Sequence, residues 1–430
     1  MNGPGQPSRF VERLGAAASR LGAVAMGVVA ARPFVDLRAQ LEACLEAGRY
    51  PRFCETDPVR RTEPERWLPG CRSLWVAAFA YPAPGAAAPA RGPGSGPWGR
   101  IAAYALPDDY HRELHRRLRW LVRWAARAAG LPRSAFRIFV DTGPPVERDL
   151  WRRSGAGWIG KNTCAYAPGA GSWIVLGVVA SRLDLPEGPL PLPAPDGLPP
   201  LPPVPADPCA GCDRCITACP TGALAPYRMD PARCIAQRSQ QRGALPEEQR
   251  AGLGRWLFGC DLCQLACPYN APDRAPLAFR PDGALRPAAG AAPWIPLRSV
   301  LEMEGPAFRA GLGRGAASWR GLALLQRNAA YIAGVILRRR AAAPQGPEAA
   351  AARATAAAPT GTSEPPAPRW DSLRQTLRRL AASHPSPVVR EACAWALQSP
   401  PPPGDRPRPS PCRTRPSAAT SPPGCAIPGR

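Results

Sequence analysis

Eight cysteines between Cys209 and Cys267 carry the clearest chemistry in this 430-residue chain. The run CAGCDRCITACP places Cys209, Cys212, Cys215 and Cys219 at the spacing C-x2-C-x2-C-x3-C-P. In the bacterial form of this spacing the first three thiolates wrap one 4Fe–4S cluster, while the fourth, followed by a proline that turns the chain, reaches a second cluster. A later run, CDLCQLACP, supplies Cys260, Cys263 and Cys267 but lacks one cysteine of the full motif, and the isolated Cys234 completes the set. Crossing the ligands assigns Cys209, Cys212, Cys215 and Cys267 to cluster one and Cys219, Cys234, Cys260 and Cys263 to cluster two. Mixed Cys/His zinc sites are poorly supported, because His111, His115 and His384 are the only histidines and none lies among these cysteines. The other cysteines (Cys44, Cys54, Cys71, Cys164, Cys393, Cys412 and Cys425) have no ligand spacing and read as core or tail thiols. Thiolate-rich usage without a disulfide pattern points to the reducing cytoplasm.

Two clusters alone make an electron-transfer module, so the long segment before them should receive the electrons. There, helical stretches alternate with short apolar runs, SLWVAAFAY (Ser73 to Tyr81), FRIFV (Phe136 to Val140) and SWIVLGVVA (Ser172 to Ala180), which argues an α/β domain. The stretch His111 to Ala129 sets Leu114, Leu118, Leu121 and Trp124 at helical spacing with arginines between, as an amphipathic helix with a solvated charged face. The expected organisation is an α/β domain over 1–184, a ferredoxin-like domain over 185–275 opened by a Pro-rich connector, a helical region over 276–398, and a disordered tail over 399–430. An Ala/Pro-rich insert over 341–368 interrupts the helical region, whose short helices and Pro-marked turns suggest paired helices of the HEAT kind.

The basic residues number 55 against 32 acidic, a formal charge of +23 that suits a polyanion such as nucleic acid. Of the 55, only Lys161 is a lysine, so the one ammonium in a chain that otherwise uses arginine invites a specific role. No apolar run reaches the ~18 residues of a membrane span. The stretch Leu21 to Ala31 reads as a buried first strand rather than a signal peptide, and no Arg-Arg pair precedes it. A soluble, cytoplasmic monomer is expected.

The stretch DTGPPVERDLWRRSGAGWIGKNT (Asp141 to Thr163), followed by GSWIVLGVV, resembles the cobalamin-dependent epoxyqueuosine reductases. So do PTGAL after Cys219, the isolated Cys234, FGCDLCQLACPYN (Phe258 to Asn270), and the upstream RRTEPERWLPGCRSLWV and IAAYALPDDYH. The resemblance covers roughly residues 10–400. It implies an N-terminal cobalamin-binding domain fed with electrons by the two clusters and an external donor, and reduction of the epoxide of epoxyqueuosine in the tRNA anticodon loop to queuosine. It also implies that Asp141 is the proton donor. A strand-end carboxyl beside a corrin and away from water is expected to have a raised pKa and to stay protonated near neutrality. Cobalamin contacts are expected from Arg61, Asp141 and the Gly-rich turn Trp158, Gly160 and Lys161. Ser239 and Gln240 are further candidates, although the stretch after Cys234, IAQRSQQRGALPEE, departs from the family's pattern. Arg320, Arg327, Arg338, Arg339 and Arg340 are candidate phosphate contacts. The nearest alternatives are a reductive dehalogenase-like corrinoid enzyme, which would normally carry a twin-arginine signal, and a ferredoxin-like carrier, which would bind no corrinoid.

Overall fold

The computed structural model describes residues 9–51, 53–84, 96–193, 203–280, 285, 292–342 and 370–398. The expected tail and nearly all of the Ala/Pro-rich insert lie outside these residues. A five-stranded sheet organises the first half, in the order Phe136–Phe139, Ile174–Ser181, Ser73–Ala80, Ala23–Ala30, Gly188–Pro189. Every neighbouring pair is antiparallel. The alternation of strands and helices is therefore real, but the connections lead each strand back beside an oppositely directed one.

Ser73–Ala80 is buried along its whole length because helices cover both faces of the sheet. Trp75, Ala77 and Phe79 point to one face and join Leu114, Leu118 and Leu121 of the helix Tyr110–Ala129. Leu74, Val76 and Ala78 point to the other and join Phe34, Leu37, Leu150 and Trp151. The helix approaches so closely that a Cβ at Gly177 would lie 2.6 Å from a Leu118 methyl carbon. Asp109 caps that helix by accepting the His111 N–H at 3.1 Å, and Gly130 ends it in the left-handed conformation.

A second sheet joins three distant stretches. Trp98–Ile101 pairs in parallel with Trp256–Phe258, just before Cys260, and antiparallel with Trp294–Pro296. The Arg100 guanidinium is clamped between the Trp256 and Trp294 rings, 4.7 and 5.2 Å from their centroids. The helical layer is centred on Leu322–Ala341, buried nearly all round, against which Pro387–Leu397 packs.

This layer corrects the expectation for two of the arginines. Arg327 is buried, and its guanidinium donates to the Asn328 side chain and to the Gln241 and Gly243 carbonyls. Arg338 lies on the Trp395 ring and donates to the Trp395 carbonyl at 3.0 Å. Both are engaged by the protein's own carbonyls and rings.

Candidate active site

The thiols of the cysteine region fall into two groups. In the first set Cys209 interacts electrostatically with Cys212, Cys215 with Cys209 and Cys267, and Cys267 with Cys212; in the second, Cys234 interacts with Cys219, Cys260 and Cys263. Cys215 and Cys263 are the point where the groups approach. All eight are free thiols. A ninth, Cys164, places its thiol against Cys263, a contact that spacing could not reveal because the turn after Gly160 delivers it from the first domain. Lys161 sits on the first group. Its ammonium pairs with Asp213 at 2.8 Å, between Cys212 and Cys215 in sequence, and its charge bears on Cys209.

The second centre, the Asp141 pit, is the tight turn that follows the strand Phe136–Phe139. Asp141 adopts a left-handed backbone, φ 55°, tolerated by an aspartate but uncommon for any residue with a Cβ. The Thr142 N–H turns back to the Val140 carbonyl at 2.6 Å, and the Asp141 N–H donates to Glu147 Oε1 at 2.6 Å. This tight turn presents the carboxylate with its side chain 58% exposed. Tyr110 donates to Asp141 Oδ2 at 2.7 Å, and His111 Nε2 lies 3.4 Å from the same oxygen. The other ring nitrogen of His111 meets Asp109 Oδ1 at 2.7 Å, and the Tyr110 and His111 rings stack at 4.1 Å. One capped helix end therefore delivers two partners to the carboxylate.

The neighbours of Asp141 favour its ionised form, whereas a carboxyl beside a corrin is expected to stay protonated. The protein packed against this exposed carboxylate would raise its pKa, but hydrogen bonds from His111 and Tyr110 and the charges of His111 and Arg148 carry it below the ordinary value. The protons sit on its neighbours instead. Burial works against the charged form of His111, yet the hydrogen bonds to Asp109 and Asp141 lift its pKa to about 9. Glu147, desolvated and facing the Asp141 charge, is pushed up to about 8. At neutral pH the site holds one anion flanked by two groups that retain protons. Sequence reading missed Tyr110, His111 and Glu147. The available signal was the aspartate cap two residues before a histidine at a helix start.

The remaining expected residues divide. Arg61 lies at the pit, where its Nε donates to the Pro144 carbonyl at 3.2 Å and its guanidinium bonds Tyr50 Oη, so it pins the loop that follows Asp141. Gln240 reaches the pit through Tyr104, whose hydroxyl it hydrogen-bonds and which feels the charges of Asp141, Asp261 and Cys234. Tyr104 thus feels charge from both the Asp141 pit and the second cysteine group. Ser239 is buried, donating to the Ala236 carbonyl and accepting the Gly259 N–H at 3.0 Å, which leaves its hydroxyl fully engaged within the protein. Trp158 stacks on Tyr166 at 5.3 Å, and its buried Nε1 has no hydrogen-bond partner among the described residues. At Gly160 a Cβ would fall 2.7 Å from the Tyr166 ring. The turn it begins joins the pit through Arg148, which donates to the Thr163 carbonyl at 2.7 Å.

The paired set of cysteines, with the Asp141 turn in the preceding domain, fits an iron–sulfur oxidoreductase, and residues 208–270 match the 4Fe–4S double cluster binding domain. Residues 61–142 match the domain family described as Epoxyqueuosine reductase QueG. Epoxyqueuosine reductases from Xanthomonas campestris and Bacillus cereus are 41% and 33% identical to the chain. The first alignment covers 40% of this chain and 44% of its relative, the second 71% and 74%. A crystal structure of an epoxyqueuosine reductase with an epoxyqueuosine-modified tRNA stem loop superposes with a TM-score of 0.70 at 26% identity, covering 90% of this chain and 88% of that one. The Bacillus subtilis enzyme, with its catalytic aspartate loop swung out of the active site, superposes at 0.70 with 25% identity, covering 90% and 89%. The chain belongs to the epoxyqueuosine reductase family.

Proposed function

We propose that this chain reduces the epoxide of epoxyqueuosine in a tRNA anticodon loop to the cyclopentene of queuosine. It would do so with cobalamin at the Asp141 pit and two 4Fe–4S clusters carrying electrons from an external donor. The observation that carries this reading is the pit, where an exposed carboxylate lies between two proton-bearing groups and adjoins the second cysteine group through Tyr104 and Gln240. Cys209, Cys212, Cys215 and Cys267 would hold one cluster and Cys219, Cys234, Cys260 and Cys263 the other. The packing of the helices Trp370–Ser383 and Pro387–Leu397 on each other supports a paired-helix reading of the HEAT kind.

Removing an epoxide oxygen as water consumes two electrons and two protons. Held beside Trp158 and the Gly160 turn, cobalamin would supply the low-valent metal chemistry needed to reduce an epoxide. The protein's own residues supply the rest. Asp141 receives the departing oxygen's side of the substrate, and protons reach it from His111, which Asp109 orients, and from Glu147 behind the turn. The unpartnered Trp158 Nε1–H is a donor suited to an amide carbonyl of the corrin periphery, and Gly160 opens a turn with no side chain of its own. Arg61 keeps the Asp141 loop in place through the Pro144 carbonyl. A cytoplasmic location fits a tRNA substrate, and no helix among the described residues is long and apolar enough to cross a membrane.

Anaerobic reconstitution tests this reading. The protein should take up about eight irons per chain, change the absorption spectrum of added cobalamin, and form queuosine in an epoxyqueuosine-bearing stem loop when reduced. A protein that holds its irons but leaves cobalamin spectrally unchanged is an electron carrier, and the proposed function fails.

A further inference from the structure

Large apolar side chains left singly on a surface need no explanation, but a cation-capped cluster beside a catalytic pit does. Phe53 and Trp319 are 42% and 45% exposed and meet edge to face with ring centroids 5.6 Å apart. The Arg320 guanidinium lies 3.5 Å from the Trp319 centroid and 5.2 Å from that of Phe53. The two rings come from opposite ends of the chain. Phe53 belongs to the loop between the helices Val35–Glu46 and Pro58–Thr62, and Trp319 closes the short turn Ala316–Trp319 of the helical region.

Both anchors lead to the Asp141 pit. Cys54, next to Phe53, feels the charges of Arg61, Arg148 and Asp141. On the other side, Arg314 forms a two-pronged ion pair with Asp108 at 2.9 and 2.6 Å, and its carbonyl accepts the Asp109 N–H at 2.9 Å, directly before Tyr110 and His111. The aromatic pair therefore joins two segments that also border the surroundings of Asp141.

Its charge selects the partner. Arg320 makes no ion pair among the described residues; its buried Nε has no hydrogen-bond partner there, and it feels the positive charge of Arg242. An aromatic surface with uncompensated cations, in a chain of net charge +23, complements a polyanion that also presents flat π faces. Single-stranded RNA has that combination, and unpaired bases bind proteins largely by stacking on aromatic rings and guanidinium planes.

We infer that Phe53, Trp319 and Arg320 form a stacking platform for an unpaired anticodon-loop base that flanks the base entering the pit. This rests on the proposed function and adds the element that orients the loop. Exposed rings held across a seam only to seal it would need bulk and no π face, which gives the test.

Stem-loop affinity is measured by fluorescence anisotropy for Trp319→Leu and Trp319→Phe, with iron content as the check on folding. Leucine should weaken binding about tenfold or more, while phenylalanine stays within about threefold of the unsubstituted protein. Affinity for a fully paired duplex of the same length should be equal in both. Leucine within about twofold of the parent, or leucine and phenylalanine weakened alike, overturns the platform. If Trp319→Leu loses its irons, the pair Phe53→Leu and Phe53→Tyr decides by the same separation. Queuosine formation by the unsubstituted protein is read separately, so failure of the function and failure of the platform give different results.

Discussion

At Asp141 the chemistry depends on which group holds the proton. The sequence located the carboxyl at the end of an apolar strand, but its protonation state is set by Tyr110 and His111 from a helix capped elsewhere in the chain, which no local pattern encodes. Asp141→Asn should retain both clusters and cobalamin but lose about 10²- to 10⁴-fold in turnover, because an amide keeps the shape and cannot relay a proton. Single-turnover kinetics check this, and activity within threefold of the parent would remove Asp141 from the reaction. The pH dependence follows from its neighbours. His111 and Glu147 titrate near 9 and 8, both raised from their ordinary values, so the protons they store are present below that window and are lost as pH rises through it. Turnover at fixed driving potential should fall between about pH 8 and 9. Asp109→Asn removes one of the two partners that raise His111, so this falling limb should move to lower pH. An unshifted limb would separate His111 from the proton supply.

Among the elements, the cysteine runs were the most legible part of the chain, because cluster ligands from one run are constrained by spacing alone. Cys234 lies outside both runs, at the start of the short helix Ile235–Gln240, and its thiol stands beside Cys219, Cys260 and Cys263. Cys234→Ala should damage the second cluster selectively, lowering bound iron and altering its paramagnetic spectrum while the first cluster persists. Two intact clusters in that variant would refute the assignment of ligands. The helical layer was less legible, since a buried arginine and a solvated one read alike in sequence. Arg327, whose burial pulls its pKa down to about 10, holds the Gln241 and Gly243 carbonyls beside the segment that follows Cys234. Arg327→Met should strand those carbonyls and the Asn328 side chain, each unsatisfied group costing about 1–3 kcal/mol. A clearly lowered thermal midpoint with unchanged salt dependence of RNA binding is expected. The reverse outcome would return Arg327 to the phosphate contacts.

For the whole molecule, the three-stranded sheet through Trp98–Ile101 ties the first half of the chain to the cysteine region and to the strand that leads into the helical layer. Length and composition indicated several units but not this interleaving, which depends on strand pairing between residues nearly two hundred positions apart. The central claim is that electrons gathered by the cysteine region leave through the Asp141 pit to remove an epoxide oxygen from RNA. Mass spectrometry of an epoxyqueuosine-bearing anticodon stem loop, incubated anaerobically with reduced, cobalamin-loaded protein, tests it most directly. The stem loop should lose the mass of one oxygen atom, only when both reductant and cobalamin are present, and far more slowly with Asp141→Asn. A stem loop of unchanged mass after incubation with protein shown to hold reduced clusters and cobalamin would contradict the account.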